Sequence, residues 1–312
     1  MTEASVGRRL SAAAQSALDA GSDAARLQVI RRKPFVRHAM INAIFERLGE
    51  ALDDYPTEGD SHILIYGQSG MGKSKAAELF AQQHCRPDDP NEPVAHVPVM
   101  YVSMAGVTSG RGLLMVIMNR LGAPYSASSS AEALYPIVVR LLSQVGVKVL
   151  IIDEIHHVAY GNRLERLKAL SVIKGLGNDL KFTIVGCGIP DALLALKWDP
   201  QLERRFEPIR MPRWTAAEET YGFLNSLETT LPLRKPSYLS DDPLAEWIID
   251  QSEGLTREIT HIVRKAAIQA IRSGREHIDL PILKGLRYVR ASERRKEIEK
   301  VLEFEGSAWS GG

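Results

Sequence analysis

Residues 67–74 read Gly67-Gln68-Ser69-Gly70-Met71-Gly72-Lys73-Ser74, with glycines, a lysine and a hydroxyl at the spacing G-x-x-x-x-G-K-[ST]. Glycines in such a loop let backbone N–H groups close around a triphosphate, and a helix starting behind them adds its positive end. Lys73 is expected at the β- and γ-phosphates, and the Ser74 hydroxyl on a Mg²⁺ ion. A second run, Val149-Leu150-Ile151-Ile152-Asp153-Glu154, delivers two carboxylates at the end of four apolar residues. Asp153 is expected in the Mg²⁺ shell, and Glu154 is placed to polarise an attacking water. The two runs together predict a pocket that binds ATP with Mg²⁺ and hydrolyses it.

Both runs lie on elements that suit the chemistry. His62-Ile63-Leu64-Ile65-Tyr66 has strand character before the loop, and Lys75 to His84 has helical composition after it. Apolar β-type runs recur at 97–104, 147–152, 182–185 and 206–209, with helical patterns between them. Leu113, Leu114, Ile117, Met118 and Leu121 share one helical face, and Leu134, Val138, Leu141 and Leu142 share another. Alternating strands and helices predict an α/β fold with a mostly parallel sheet covered by helices, whose ligands bind at the carboxyl edge. After Pro212 only helices are expected, over 216–227, 242–252, 256–272 and 280–289. The organisation expected is an extension over 1–33, a nucleotide-binding α/β domain over 34–212 and a helical lid over 213–289. A C-terminal helix and tail over 290–312 complete it, with disorder expected from Gly306 to Gly312.

Composition narrows the setting. The 312 residues are 45% hydrophobic and 25% charged, ordinary for a soluble globular chain. No apolar run approaches the roughly 18 residues that span a bilayer. The first residues lack the apolar core of a secretory signal, so a cytoplasmic protein with no membrane partner is expected. Cys85 and Cys187 have no zinc-ligand spacing and form no disulfide framework. A net charge of +1 confines any nucleic-acid surface to a local patch. One candidate patch holds Arg26, Arg31, Arg32, Lys33, Arg37 and His38; a solvated charged turn explains it equally well. Leu286 to Glu305 mixes basic residues with glutamates and reads as an amphipathic helix with opposite charges at pairing distance.

Two further segments choose among phosphate-loop proteins. Asp199-Pro200-Gln201-Leu202-Glu203-Arg204-Arg205-Phe206 resembles the arginine-finger segment of AAA+ ATPases, in which an arginine reaches the γ-phosphate of a neighbouring subunit. The resemblance puts Arg205 first in that role and Arg204 second. Gly254-Leu255-Thr256-Arg257 resembles the G-x-x-R sensor-2 motif, which implies that Arg257 touches nucleotide phosphates. The end of the fourth strand departs from the AAA+ pattern. Val185-Gly186-Cys187-Gly188 offers a thiol where a polar sensor side chain is usual, which implies slow hydrolysis.

A narrower resemblance runs from about Pro34 to about Leu286. Asp153-Glu154-Ile155-His156-His157, the segment Val172 to Leu180, and Asp199-Pro200-Gln201-Leu202 carry it. Arg205-Phe206-Glu207-Pro208 and Pro212-Arg213-Trp214 extend it, and all resemble the TniB/TnsC family of AAA+ transposition regulators, distantly related to the Mu B target-selection ATPase. The resemblance implies a homo-oligomer, ring or filament, assembled with ATP on double-stranded DNA. It further implies recruitment of a transposase, a place for a TniQ-type targeting protein, and hydrolysis that dismantles the assembly. The family's DNA-facing loops correspond here to a region holding Thr108, Ser109, Arg111 and Ser128 to Ser130, with Thr108, Arg111 and Ser129 as candidates and Arg111 as the phosphate contact. The adjacent pair His156-His157 is expected to be structural or interfacial, because adjacent residues do not both face one ion from an ordinary turn. The alternative reading is a protein-remodelling AAA+ ATPase that does not act on DNA, although no aromatic pore loop follows the second strand.

Overall fold

The computed structural model describes residues 9–32, 35–53, 61–85 and 95–309. In chain order the elements are α1 (Ala12–Asp19), α2 (Asp23–Arg31), α3 (Ala39–Asp53), β1 (His62–Gly67), α4 (Lys73–Gln83) and β2 (Val99–Ser103). There follow α5 (Gly110–Arg120), α6 (Ala131–Gln144), β3 (Val149–Asp153), a 3₁₀ turn (Ile155–Tyr160), α7 (Arg163–Leu180), β4 (Thr183–Gly188), α8 (Asp191–Leu196), α9 (Pro200–Arg205) and β5 (Phe206–Met211). The chain closes with α10 (Glu218–Glu228), α11 (Asp242–Ser252), α12 (Thr256–Arg272), α13 (Leu280–Lys284) and α14 (Ala291–Trp309).

The chain divides into two compact units, one spanning Met40–Pro212 and the other joining residues up to Ala39 with those from Arg213 onward. In the first unit all five strands are parallel, in the order β2-β3-β4-β1-β5. From β1 the chain crosses to the far edge at β2, returns through β3 and β4, and adds β5 on the other side of β1. Every residue of β3 and β4 is buried, as continuous apolar runs in a sheet covered on both faces require. Leu113, Leu114, Ile117 and Met118 on α5, with Leu134, Val138 and Leu142 on α6, supply one packed layer against it. The fold is therefore the parallel α/β architecture expected.

The second unit is helical. Its polar centre is Arg26 of α2, fully buried, whose Nε donates to the Pro232 carbonyl at 2.8 Å and whose NH1 donates to Glu276 Oε1 at 3.0 Å and Asp23 Oδ1 at 2.9 Å; NH2 bonds Glu276 Oε2. Trp214 stacks on Phe223 with ring centroids 4.7 Å apart, and His38 lies edge-on to both. Burial drops the His38 pKa to about 4, which keeps the ring neutral. Arg26 and His38 are thereby removed from the basic patch, because a buried, paired guanidinium and a neutral imidazole offer nothing to a phosphate; Lys33 lies outside the described residues.

Two helix ends differ from expectation. α13 stops at Lys284 with Gly285 as its cap, because glycine is a poor continuation of a helix. In contrast, α14 carries through Gly306 to Trp309, where composition predicted disorder, since extending an existing helix needs only one bond per added residue. Residues 310–312 lie outside the described residues. Arginines at the start of α14 pair with other helices. Arg294 meets Glu258 of α12 at 2.8 Å, and Arg290, just before α14, bonds Asp250 of α11. Among the described residues no helix is long and apolar enough to cross a membrane.

Candidate nucleotide site

Residues 67–74 form the turn between β1 and α4 at the carboxyl edge of the sheet. Gly67 has to be glycine for a local reason, since a Cβ there would sit 2.4 Å from the Met211 carbonyl oxygen of β5. Gly70 and Gly72 take φ of 85° and 97°, a region side chains rarely adopt. Gly72 caps α4 without a side chain, so the first N–H groups of the helix have no side-chain acceptor. Such an end suits an anion. Gln68 and Ser69 are exposed, Gly70 and Ser74 half-buried, and Met71 fully buried beneath the loop.

Lys73 is buried, and its Nζ donates to the carbonyls of Gly67 at 2.8 Å and Gln68 at 2.9 Å. Burial lowers its pKa, opposed by the carboxylates of Glu154 and Asp153. The ammonium is thus held by the loop's own backbone.

The two acids arrive at the same edge. Asp153, the last residue of β3, is buried; its Oδ2 accepts from the Tyr101 hydroxyl of β2 at 2.6 Å and its Oδ1 from the Glu154 N–H at 2.9 Å. Burial and the Asp153 carboxylate both push the Tyr101 hydroxyl pKa up, so it stays a donor. Glu154 adopts a left-handed backbone, φ 55°, a conformation worth about 1–2 kcal/mol of strain for a residue with a Cβ. Its side chain is 38% exposed. The loop lysine and both acids are therefore brought to one place. Cys187 of β4 is fully buried beside them, and burial drives its thiol pKa upward, so it enters as a small neutral group.

Tyr101 belongs to this neighbourhood and was not singled out from the sequence; His156, expected there as a structural or interfacial residue, belongs to it as well. A tyrosine in an apolar strand reads as core, and only its register one strand away from Asp153 shows what its hydroxyl does. The His156 and His157 rings do face a common region, with centroids 4.8 Å apart, because a 3₁₀ turn is tighter than the ordinary turn assumed. Ligand atoms of Glu154, His156 and His157 lie within 4.8 Å of one another. His157 is already employed, however, its Nδ1 accepting the Gly106 N–H at 3.1 Å.

The remaining candidates sit elsewhere. Arg204 and Arg205 end α9, with Arg204 exposed and Arg205 NH1 bonded to Asn178 Oδ1 at the end of α7. The preceding Asp199-Pro200 is a helix start. Asp199 Oδ1 accepts the N–H groups of Gln201 at 3.0 Å and Leu202 at 3.1 Å, and Lys174 meets Asp199 Oδ2 at 2.6 Å. Gly254 is fixed by close approach, since a Cβ would lie 2.2 Å from the Trp214 carbonyl oxygen; Arg257 is exposed in the first turn of α12. Thr108 is half-buried before α5. Arg111 and Ser129 are brought together: Arg111 Nε donates to the Ser129 carbonyl at 2.7 Å and NH2 to that of Ala127, clasping the 126–130 loop.

A parallel sheet in this order, with a phosphate loop after β1 and paired acids after β3, defines the AAA+ class of P-loop ATPases. The family described as "Bacterial TniB protein" matches residues 26–216, more than half of the chain, and the protein belongs to it. Among solved structures it is similar to the Aeropyrum pernix ORC1 protein in complex with DNA, with a TM-score of 0.59 at 20% identity over 83% of this chain and 68% of that one. The Aeropyrum pernix ORC2 protein in its ADPNP–ADP complexes gives a TM-score of 0.57 at 16% identity, over 82% of this chain and 69% of that one. Among curated proteins, the chaperone protein ClpB of Meiothermus ruber is 24% identical over 184 residues, 58% of this chain. The chain spans about a fifth of the length of the curated relatives it matches.

Proposed function

We propose that this protein is an ATP- and Mg²⁺-dependent ATPase that oligomerises on double-stranded DNA and recruits or activates a transposase, with hydrolysis dismantling the assembly. The observation that carries the nucleotide half is the convergence of buried Lys73, buried Asp153 and half-exposed Glu154 beside an uncapped helix start. In this reading residues 67–74 hold the phosphates, Ser74 and Asp153 hold Mg²⁺, and Glu154 polarises water. Arg205, with Arg204 second, acts on the nucleotide of a neighbouring copy, and Arg257 senses nucleotide in its own. Membership of the TniB family supports the transposition half, and a TniQ-type protein is a further partner on that ground. Exposed Tyr160 on the 3₁₀ turn, Leu164 and Leu167 on α7, Leu194 on α8 and Trp198 in the turn after it supply apolar surface of the kind an assembly covers. Thr108, Arg111 and Ser129 are the DNA candidates. Arg111 keeps its loop in place through two carbonyls, so it would act partly by presenting that loop.

The test is Glu154→Gln. The amide cannot polarise water as the carboxylate does, so hydrolysis should fall by about 10²-fold or more while ATP binding persists. The variant's ATP-dependent complexes on two unrelated duplexes should outlast those of wild type and weaken steeply with salt. Faster dissociation of the variant from DNA contradicts the dismantling role. Absence of DNA binding under every nucleotide condition, with ATPase intact, turns the reading toward protein remodelling, to which the likeness to ClpB would then give a direction.

A further inference from the structure

We infer that His156 is a positioning residue for Glu154, holding the carboxylate in the orientation from which it acts on water. This rests on the reading of Glu154 as the hydrolytic carboxylate.

Three observations converge on the pair. His156 is buried on the 3₁₀ turn, and its Nδ1 has no hydrogen-bond partner. A buried ring nitrogen without a partner is costly and calls for an explanation. The Glu154 Oε2 lies 3.2 Å from that nitrogen, close enough to bond but out of line for it, so a small rotation of the half-exposed glutamate closes the contact. The room for the imidazole is built in by β4. A Cβ on Gly188 would come within 3.3 Å of His156 Nδ1, and a Cβ on Gly186 within 3.1 Å of Ile155 Cδ1. The two strand glycines therefore let the 3₁₀ turn lie flat on the sheet end, with the ring beside the acid.

The chemistry is that of a neutral donor. Burial lowers the His156 pKa, against the raising effect of Glu154, so the ring is uncharged near neutral pH. In the tautomer with its proton on Nδ1, it donates to one carboxylate oxygen and leaves the other for water. The left-handed backbone of Glu154 fixes where the side chain starts, and the imidazole fixes where it ends. His157 accepts the Gly106 N–H at its Nδ1, which ties that nitrogen to the backbone.

The experiment compares steady-state ATP hydrolysis of the full chain with His156→Asn, His156→Gln and His156→Ala, alongside Glu154→Gln. Equilibrium binding of a slowly hydrolysed ATP analogue and thermal melting are measured on each. An asparagine amide can occupy the place of Nδ1, whereas a glutamine amide reaches one bond further. His156→Ala and His156→Gln should lose about tenfold or more in kcat, toward the roughly 10²-fold that a 1 Å misplacement can cost, with KM and analogue affinity within about twofold of wild type. His156→Asn should keep most of kcat. If His156→Ala does not fold, the Asn–Gln pair decides alone. Equal kcat in the Asn and Gln variants, or loss of affinity matching the loss of kcat, overturns the positioning role. If Glu154→Gln hydrolyses like wild type, the reading of Glu154 itself fails, and this inference with it.

Discussion

The sheet unit and the helical unit are held together on different scales of the sequence. In the sheet unit the chemistry rides on short continuous pieces, 67–74 and 149–154, and each strand pairs through backbone bonds that any apolar run can make. In the helical unit the decisive contacts join residues far apart in the chain. Arg26 reaches Pro232 and Glu276, and Arg264 Nε donates to the Ile30 carbonyl at 2.6 Å. The proposed nucleotide chemistry thus rests where structure is local, and Arg26, the largest fully buried side chain among the described residues, sits where it is not. Disrupting the first kind of contact should remove activity without unfolding; disrupting the second should unfold without touching the nucleotide.

The largest effect tests the first half of that contrast. In Lys73→Met the phosphates lose charge-assisted contacts of about 1.5–3 kcal/mol each, so ATP binding should weaken by about 10²–10⁴-fold. The fold should lose little, because the bonds removed run from the ammonium to two carbonyls of its own loop. Titration with a fluorescent ATP analogue and a melting curve read the two consequences. A large drop in melting temperature would mean that the lysine holds the loop together and that site and fold are not separable there.

Arg26→Ala tests the other half. Arg26 is 0% and Glu276 11% exposed, so removing the arginine strands a buried carboxylate, which costs about 3–5 kcal/mol. The helical unit should melt early, followed by fluorescence of the buried Trp214, while the phosphate loop still binds nucleotide. Pairing Arg26→Met with Glu276→Leu should recover most of the loss. Acid should act on the same pair. Burial alone would raise the Glu276 pKa, but its bonds from Arg26 and the Arg234 N–H outweigh burial and leave it below the usual carboxylate value of 4.5. A depressed carboxylate stabilises fully above its unfolded pKa and ceases to as pH falls through the folded value. The helical unit should therefore weaken below about pH 4.5, and the double variant should lose that dependence. An unchanged acid profile in the double variant would move the sensitivity to other groups.

What could be read in advance follows the same division. The five strands, the glycine loop and the paired acids were legible because hydrophobic runs and motif spacing are local properties. Arg26 was misplaced in a basic patch because nothing near it in the sequence announces Glu276, 250 residues away. Tyr101 stayed hidden for a related reason: a hydroxyl in an apolar strand is recognisable as a partner only once strand register sets an acid beside it. Gly254 and Asp199-Pro200 were legible as motifs, yet the structure supplies local reasons for them, a close approach to Trp214 and a helix start. Their presence therefore bears less on Arg257 and Arg205 than a motif match suggests.

The smallest effect sharpens the contrast, because the sheet unit has an arginine–glutamate pair of its own. Arg47 of α3 donates from Nε at 3.0 Å and from NH2 at 2.8 Å to Glu207 Oε2 on β5, again tying an early helix to a distant element. Like Arg26 and Glu276, the two residues form a doubly bonded pair far apart in the chain, but here the side chains are 27% and 53% exposed. Water already solvates both charges, so little desolvation is at stake and salt screens what remains. Arg47→Ala should cost no more than about 1 kcal/mol, against about 3–5 for Arg26→Ala, and 1 M salt should erase most of the difference from wild type. Chemical denaturation of both variants at low and high salt makes the measurement; urea serves, since guanidinium would itself screen the pair. If Arg47→Ala proves as damaging as Arg26→Ala, burial is not what separates the two pairs. The tie between α3 and β5 would then be a structural requirement of the sheet, and the division between local and distant contacts would not follow the boundary between the units.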